Sequence, residues 1–430
     1  LTTNGSLSIS DVDSPATFVT QSNTAGSYGQ FSIGTNGAWS YVADSAHNEF
    51  VADTTYTDTF AVSSADGTLT SVTVQILGSN DAAVLSSASV TLTETDAALT
   101  TDGTLTISDV DSAATFVAQS GTAGSYGQFS IGTDGAWSYV ADSVHNEFAA
   151  GTTYTDTFSV SSADGTLTSV TVQILGSNDA AVLSADIANL SETNAPLTTN
   201  GSLTISDVDS AATFVAQSNT AGSYGQFSIG TDGAWSYIAD SAHNEFVAGT
   251  TYTDTFAVSS ADGTLTSVTV HITGTNDAAV LSSASVTLTE TDAPLTTNGS
   301  LTISDIDSAA TFVAQSGTSG SYGQFSIGTN GAWNYVADSA HNEFVAGTTY
   351  TDTFSVSSAD GTLTSVTVNI LGTNDAAVLS ADIANLTETN APLTTSGSLN
   401  ISDVDSPATF VNQTNTAGSF GQFSIGTNGA

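Results

Sequence analysis

Short runs in which apolar and polar residues alternate occur throughout the chain. Leu7 and Ile9 flank a serine, and so do Phe31 and Ile33 in the next run. Alternation with a period of two predicts strands with one buried face and one wet face. No stretch has a sustained helical period, so the pattern predicts an all-β protein. Further runs contain Trp39 and Tyr41, then Tyr56, Phe60 and Val62, then Val72, Val74 and Ile76.

Two dipeptides with strong turn preferences separate these runs. Asn36-Gly37 lies between the Phe31 and Trp39 runs. It predicts a hairpin with a type I′ turn, because both central residues of that turn need positive φ. Asp66-Gly67 predicts a second hairpin, which joins the Phe60 run to the Val72 run.

The same segment recurs along the chain at constant spacing. The sequence that begins at Leu1 returns at Leu99, Leu197, Leu295 and Leu393, a period of 98 residues. About seven strands in roughly 100 residues are typical of one immunoglobulin-like or cadherin-like β-sandwich. We therefore expect a tandem array of β-sandwich domains that stand end to end as a rod. With boundaries at the repeated Asn-Asp-Ala-Ala motif, the predicted domains are 1–82 (incomplete), 83–180, 181–278, 279–376 and 377–430 (incomplete).

Alternate repeats are more alike than neighbouring ones. The strand after the first and third linkers contains SSASVTLTETDA, whereas the strand after the second and fourth contains SADIANLSETNAP or SADIANLTETNAP. Duplication of a two-repeat unit explains this pattern. The functional alternative is that successive domains make different contacts with their neighbours.

The composition adds a constraint on charge. The 430 residues include 42 Asp and Glu, 5 His and no Lys or Arg, for a formal charge of −42, but also 4 Trp, 12 Tyr and 19 Phe. Such aromatic content is unlike that of a disordered acidic chain. Without basic side chains the chain cannot neutralise nucleic-acid phosphates or bind an anionic membrane surface. No apolar run approaches the roughly 18 residues that insert into a membrane. The absence of Cys excludes disulfides. The first residues resemble a domain interior, so we expect the sequence to be a window of a longer chain.

Acidic residues gather where successive domains should meet. Asp109 and Asp111 end a predicted strand, Asp81 lies in the linker before it, and Glu94 lies on the strand between them. We expect these four carboxylates to meet at one joint, where no basic residue offsets their charge. Hard oxygen donors in an irregular arrangement suit Ca²⁺, which takes roughly 6–8 oxygens, better than Mg²⁺. The alternative is solvated surface charge.

The motifs of each repeat resemble those of a known bacterial family. The segments GSLSISDVD, SYGQFSIGTNGAWSY, YTDTF and GSNDA are similar to those of the VCBS repeat, a cadherin-like module, and the resemblance covers essentially the whole chain. It implies tandem arrays in large secreted surface proteins, often RTX-type adhesins, with calcium at the joints. The family linker usually has Pro where this chain has Ala83, which implies that joint stiffness depends more on calcium. The metal-ligand set that the resemblance implies is Asp11, Asp13, Asp81, Glu94, Asp109, Asp111, Asp179, Glu192, Asp207, Asp209, Asp277, Glu290, Asp305, Asp307, Asp375, Glu388, Asp403 and Asp405.

Three other polar positions have interpretations that the residue pattern favours. Asp66 is first a turn former, with a ligand role as the alternative. Asp58 shares a strand face with Phe60, so we expect backbone N–H or hydroxyl groups to hold its carboxylate. His47 recurs in Asp-Ser-x-His-Asn-Glu, whose residue types also occur in hydrolytic triads and zinc pairs. No nucleophile or oxyanion hole accompanies it, so we interpret it as a loop histidine.

These observations predict a structural protein rather than an enzyme. We expect a calcium-stiffened extracellular stalk of a large bacterial surface adhesin or biofilm matrix protein, secreted or on the cell surface, which projects a binding domain that lies outside this sequence. Its expected partners are calcium and the neighbouring repeats. The alternative is a self-assembling filament or matrix subunit that contacts copies of itself.

Overall fold

The computed structural model describes all residues, Leu1–Ala430, and its regular structure consists of β-strands. It contains no helix of the length and apolarity needed to cross a membrane. The chain divides into two compact units, one of Leu1–Leu183, Ile205–Thr213 and Ser259–Thr264, the other of Ser184–Thr204, Phe214–Val258 and Leu265–Ala430. Each acidic cluster described below lies within one unit. The all-β prediction is confirmed.

The three complete repeats contain the same succession of nine strands, and residues 1–82 and 377–430 contain part of it. Residues 1–82 form β1 (Thr2–Ser6), β2 (Gln21–Ala25), β3 (Gly29–Ile33), β4 (Ala38–Ala43), β5 (Thr55–Ser63) and β6 (Leu69–Leu77). Residues 83–180 form β7 (Val84–Leu85), β8 (Ala88–Thr93), β9 (Thr100–Thr104), β10 (Ile107–Ser108), β11 (Gln119–Ala123), β12 (Gly127–Ile131), β13 (Ala136–Ala141), β14 (Thr153–Ser161) and β15 (Leu167–Leu175).

The later repeats follow the same order. Residues 181–278 form β16 (Val182–Leu183), β17 (Asp186–Ser191), β18 (Thr198–Ser202), β19 (Ile205–Ser206), β20 (Gln217–Ala221), β21 (Gly225–Ile229), β22 (Ala234–Ala239), β23 (Thr251–Ser259) and β24 (Leu265–Thr273). Residues 279–376 form β25 (Val280–Leu281), β26 (Ala284–Thr289), β27 (Thr296–Ser300), β28 (Ile303–Ser304), β29 (Gln315–Ser319), β30 (Gly323–Ile327), β31 (Ala332–Ala337), β32 (Thr349–Ser357) and β33 (Leu363–Leu371). Residues 377–430 form β34 (Val378–Leu379), β35 (Ile401–Ser402), β36 (Gln413–Ala417) and β37 (Gln422–Ile425).

Each complete repeat has two main sheets. In residues 83–180, β11, β12, β13 and β9 form an antiparallel sheet in that order, and β14, β15 and β8 form a second sheet. The short strands β7 and β10 pair with each other. The same orders recur as β20-β21-β22-β18 with β23-β24-β17, and as β29-β30-β31-β27 with β32-β33-β26.

The apolar faces of the two sheets form a shared core. In β14, Phe158 and Val160 are buried while the residues on either side of Phe158 are exposed. Phe129 of β12 stacks on Phe158 with ring centroids 4.7 Å apart, and Trp137 belongs to the same cluster. Phe325 and Phe354 form the equivalent stack in residues 279–376. The predicted β-sandwich is confirmed, because alternation placed these rings on the inner faces.

Strand β8 runs parallel to its neighbour β15. Val90 lies opposite Val172, and Thr93 lies opposite Leu175. Parallel strands end at the same edge of a sheet. Glu94, which follows β8, therefore emerges where the domain ends and the next linker begins, and its N–H donates to the carbonyl of Leu175 at 2.8 Å.

Both predicted hairpins are present, but the first has a different turn. Strands β3 and β4 leave four residues, 34–37, between them. The N–H of Gly37 donates to the carbonyl of Gly34 at 3.0 Å, and φ is +83° at Gly37 but not positive at Asn36. The type I′ prediction is wrong, because this longer loop needs a left-handed residue only at its last position. Asp66-Gly67 joins β5 to β6 as predicted.

Candidate metal centre

The linker acid meets the Asp-x-Asp motif of the domain that follows it. The N–H of Asp81 donates to Oδ2 of Asp111 at 3.0 Å. Asp111 is 5% exposed, and its Oδ1 has no hydrogen-bond partner. The equivalent bond measures 3.3 Å between Asp277 and Asp307 and also between Asp375 and Asp405.

The two acids of each Asp-x-Asp motif have different hydrogen-bonding roles. Oδ1 of Asp109 accepts the N–H groups of Asp111 and Ser112 at 3.0 and 2.8 Å, and Oδ2 accepts the Ser112 hydroxyl at 2.6 Å. The Ser112 hydroxyl is the main reason that the pKa of Asp109 is lowered. Asp109 is thus a turn former, which leaves Asp111 as the acid with an unused oxygen. The same turn forms at Asp11 and Asp13, Asp207 and Asp209, Asp305 and Asp307, and Asp403 and Asp405.

Glu94 does not join Asp81, Asp109 and Asp111, so the predicted grouping is wrong in this respect. Its Oε2 accepts the Ser177 hydroxyl at 2.6 Å, at the opposite end of its domain. The physical reason is the parallel pairing of β8 with β15, which carries Glu94 along the length of the sandwich. Glu192 and Glu290 occupy the equivalent place, where they accept the hydroxyls of Thr275 and Thr373 at 2.6 and 2.7 Å.

The structure therefore regroups the predicted acids into four joints. The first joint contains Asp81, Asp109 and Asp111. The second contains Glu94, Asp179, Asp207 and Asp209, the third contains Glu192, Asp277, Asp305 and Asp307, and the fourth contains Glu290, Asp375, Asp403 and Asp405. Asp11 and Asp13 form the same turn, and Glu388 is exposed.

Electrostatic repulsion marks the second joint. The pKa of Asp179 is raised, first by burial and then by the neighbouring carboxylates of Asp96, Glu94 and Asp209. Burial also raises the pKa of Asp209. Raised values mean that the folded chain disfavours the full set of negative charges that neutral pH imposes. At the fourth joint, contact with Asp292 is the main cause that raises the pKa of Asp375 to about 6.

The donor set fits a hard divalent cation. Glu94 is 2% exposed and its Oε1 accepts no hydrogen bond. Oδ2 of Asp179 and both carboxylate oxygens of Asp209 are likewise buried without a partner. Buried carboxylate oxygens are normally hydrogen-bonded, paired or bound to a metal. The chain has no Lys or Arg to pair with them, so the unused oxygens fit a divalent cation. The other buried, unpartnered carboxylate oxygens of the four joints are Asp111 Oδ1, Glu192 Oε1, Asp277 Oδ2, Glu290 Oε1, Asp307 Oδ1, Asp375 Oδ2 and Asp405 Oδ1.

Sequence reasoning missed an acid that holds the linker. Asp164 forms the predicted Asp-Gly turn, but its Oδ2 also accepts the N–H of Ala83 at 3.0 Å and Nδ2 of Asn80 at 3.2 Å. Asp262 and Asp360 accept Ala181 and Ala279 in the same way, each at 3.0 Å. The signal was Ala83 itself, since a proline there would have no N–H to donate.

The Asp58 position has the structural role that its strand face predicts. Oδ1 of Asp58 accepts the N–H of Ser27 at 2.7 Å, and Oδ2 accepts the N–H of Tyr28 and the hydroxyl of Tyr41 at 3.0 and 2.9 Å. The carboxylate is 4% exposed and both oxygens are satisfied. It therefore differs from the joint acids, which have unused oxygens.

His47 is a loop histidine, as predicted, and is held by acids. Its φ is +58°, Nδ1 lies 2.9 Å from Oε1 of Glu49, and Nε2 lies 2.7 Å from the Tyr28 carbonyl and 2.9 Å from Oδ1 of Asp44. The imidazole stacks on Phe50 with centroids 4.4 Å apart. Both ring nitrogens are engaged, so this site is distinct from the acidic joints.

The sheet orders and the 98-residue repeat define a class, namely tandem cadherin-like β-sandwich domains. The chain belongs to the bacterial cadherin-like domain family, whose model matches residues 80–176, 178–275 and 276–372. Domains of this family are structural, adhesion-type modules, and calcium binding is general among cadherin-like domains. No curated protein sequence matches the chain.

Several solved cadherin structures are similar to this one at low sequence identity. The protocadherin gammaB4 extracellular domain is 13% identical, with 99% of this chain and 75% of that chain covered and a TM-score of 0.43. Drosophila N-cadherin EC1-4 is 16% identical, with 86% and 96% covered and a TM-score of 0.30. The human desmocollin-1 ectodomain is 12% identical, with 88% and 78% covered and a TM-score of 0.30.

Proposed function

We propose that this chain is part of the extracellular stalk of a large bacterial adhesin of the VCBS-repeat type, in which calcium stiffens the joints between domains. The observation that carries the proposal is the set of buried carboxylate oxygens without partners, represented by Oε1 of Glu94 and Oδ2 of Asp179. The proposed domains are 83–180, 181–278 and 279–376, flanked by 1–82 and 377–430. The bond from Ala83 to Asp164 supports a boundary there, because it ties Ala83 to the domain that follows.

The residues of a joint come from two successive repeats. Glu94 is held by the Ser177 hydroxyl and by its own N–H bond to Leu175. Asp209 is held by the turn that Asp207 forms. When bound, calcium would balance the negative charge of these carboxylates, and it is coordinated by roughly 6–8 oxygens. Because one acid belongs to the preceding domain and the other to the following domain, shared ligation restricts motion at the joint.

The donor chemistry favours calcium over other metals. Every unused donor at the joints is an oxygen, whereas zinc prefers imidazole and thiolate ligands. The chain has no Cys, and His145 already engages Glu147 and the Tyr126 carbonyl. Magnesium is a weaker candidate, because it requires near-octahedral geometry and retains its water ligands.

A stalk of this kind suits the outside of a cell. Extracellular calcium modules typically bind with dissociation constants of about 10⁻⁴–10⁻³ M, well above the concentrations of free calcium in cytoplasm. The proposed role is to project a binding domain that lies outside this sequence, as in cell adhesion or a biofilm matrix. The charge of −42 also limits association between copies of the chain.

The proposal is tested by small-angle X-ray scattering and calcium calorimetry on the same chain. We expect heat of binding in the millimolar range and an increase in maximum dimension with calcium that chelation reverses. The combined Glu94→Gln and Asp209→Asn variant should lose part of both effects. Asp102→Asn, which removes an acid from the middle of β9, is the matched control. Absence of binding and an unchanged profile would overturn the proposal, and particles that lengthen with protein concentration would favour a self-assembling filament.

A further inference from the structure

One position at the joints alternates between a charged and a neutral side chain. Two residues after Glu94, the buried acid that follows β8, the chain has Asp96, and the equivalent residue in 279–376 is Asp292. The equivalent positions in the other two repeats hold Asn194 and Asn390. The second and fourth joints thus contain one more carboxylate than the third.

The extra carboxylate faces the linker acid. At the fourth joint, one carboxylate oxygen from each of Glu290, Asp292 and Asp375 lies within 4.8 Å of the other two. At the second joint, Asp96 holds the sequence position of Asp292, and its carboxylate helps to raise the pKa of Asp179. The alternating residue is therefore placed to contribute to the same site as Glu290 and Asp375.

Unused buried oxygens point to a ligand at these joints independently of the charge. Glu290 is 2% exposed, and its Oε1 has no hydrogen-bond partner. Oδ2 of Asp375 is also buried without a partner. Asn194 replaces this third carboxylate by an amide, which offers one neutral oxygen and carries an NH₂ group that cannot bind a cation.

We propose that the joints alternate in their affinity for divalent cations, tight where Asp96 or Asp292 is present and weak where Asn194 stands. This inference rests on the proposed function and adds an order of filling to it. Calcium affinity in oxygen sites is tuned over decades by the number of charged ligands, so one carboxylate corresponds to roughly a tenfold or larger difference.

The alternation has a mechanical consequence. At calcium concentrations between the two affinities, the second and fourth joints are filled while the third joint is not. The chain then behaves as pairs of repeats, 83–180 with 181–278 and 279–376 with 377–430, linked by a looser joint between 278 and 279. The two-repeat period in the sequence thus becomes a two-step response to calcium.

The natural residues provide the test, because each variant places at one joint the residue that another joint already has. Calcium calorimetry of the full chain should resolve a tight class and a weak class of sites. Asp96→Asn combined with Asp292→Asn should merge them at the weak affinity, a loss of roughly tenfold at two joints. Asn194→Asp should move the third joint into the tight class. Asp102→Asn, which lies in β9 outside the joints, should leave both classes unchanged.

A second measurement distinguishes a change in calcium affinity from misfolding of the variant. In the presence of a chelator, Asn194→Asp should lower the thermal midpoint through added repulsion, and in millimolar calcium it should raise the midpoint above that of the parent chain. Calcium binding in a single class that the variants do not change would overturn the alternation but leave the calcium joints intact. A chain that binds no calcium would overturn the proposed function itself.

Discussion

Glu94 and Ser177 are separated by 83 positions in the chain, and their side chains are joined by a 2.6 Å hydrogen bond. The bond uses Oε2 of Glu94 and leaves Oε1 buried without a partner. Because β8 is parallel to β15, this pair lies at the end of the domain that faces the next repeat. The pairing places the acid of one domain beside the linker acid Asp179 that leads into the next.

Glu94→Gln should have opposite effects with and without calcium. Glutamine retains an oxygen for the Ser177 hydroxyl and replaces the unpartnered oxygen by an NH₂ group that can donate to Asp179. In a chelator, the free energy of unfolding should rise by about 1–2 kcal/mol. In calcium, a ligand is lost and the stabilisation by calcium should shrink. Urea unfolding under both conditions checks this, with Ser177→Ala as the control that removes the bond but keeps the charge. Equal destabilisation by Glu94→Gln in both buffers would contradict the ligand role.

Asp156→Asn should destabilise the fold regardless of calcium. Oδ2 of Asp156 accepts the N–H of Tyr126 at 3.1 Å and the hydroxyl of Tyr139 at 3.0 Å, while Oδ1 accepts the N–H of Ser125 at 2.6 Å. An amide cannot accept at both ends, so a buried donor loses its partner, at a cost of about 2–4 kcal/mol. Unfolding by urea measures this cost, and Tyr139→Phe should cost less because it removes a single bond. A calcium-dependent loss would instead identify Asp156 as a ligand.

The stability of the chain should fall as the pH rises through neutrality. Nδ1 of His145 lies 2.9 Å from Oε1 of Glu147, and Nε2 lies 2.8 Å from the Tyr126 carbonyl and 2.9 Å from Oδ1 of Asp142. Acceptors at both nitrogens favour the doubly protonated ring. Burial alone would lower the pKa of His145, but the bonds to Glu147 and the Tyr126 carbonyl and the charges of Glu147 and Asp142 raise it.

The sign follows from linkage. Because the pKa of His145 is higher in the folded chain than in the unfolded chain, protonation of the ring stabilises the fold. This stabilisation is complete below the unfolded pKa of about 6.5 and is lost as the pH rises through the folded pKa. Glu147, whose pKa the His145 bond lowers, contributes stability at higher pH, and this contribution is lost as the pH falls through that lowered value. Urea midpoints between pH 6 and 9 in a chelator check the first effect, and His271→Gln leaves only the four loop histidines for NMR titration. A flat profile, or histidines that deprotonate below the unfolded value, would contradict the prediction.

The strand whose sequence alternates between repeats offers a hydrogen-bond acceptor to the core tryptophan in one repeat and none in the repeat before it. Nε1 of Trp235 donates to Oδ2 of Asp186 at 3.1 Å, whereas Ala88 occupies the equivalent place beside Trp137, whose buried Nε1 has no partner. Asp186→Ala should therefore lower the free energy of unfolding of its domain by about 1–3 kcal/mol.

The reciprocal variant is the matched control for that tryptophan bond. Ala88→Asp supplies the missing acceptor for Trp137 and should stabilise residues 83–180 by about 1 kcal/mol. Indole N–H exchange measured by NMR should slow at Trp137 in this variant and quicken at Trp235 in Asp186→Ala. Unchanged exchange at both rings would show that the hydrogen bond does not account for the alternation of the strand.

Much of the fold and part of the site could be predicted from local patterns. Period-two alternation identified the strands, and the recurrence of Leu1 at Leu99 set the repeat length. The structural role of Asp58 also followed from its strand face, because that argument needs only the neighbours on one strand. The turn type at Asn36-Gly37 could not be predicted in this way, because the length of the loop depends on how the flanking strands pair.

The sequence by itself determined an all-β tandem repeat, the acids that lie near the linkers and the lack of any Lys or Arg to balance them. Only the tertiary structure decided which acids share a joint. Glu94 is close to Asp81 and Asp109 in the chain, yet the parallel register of β8 and β15 carries it to Asp179 at the other end of the domain. That pairing joins segments about 80 residues apart, and no local pattern of side chains encodes such a register.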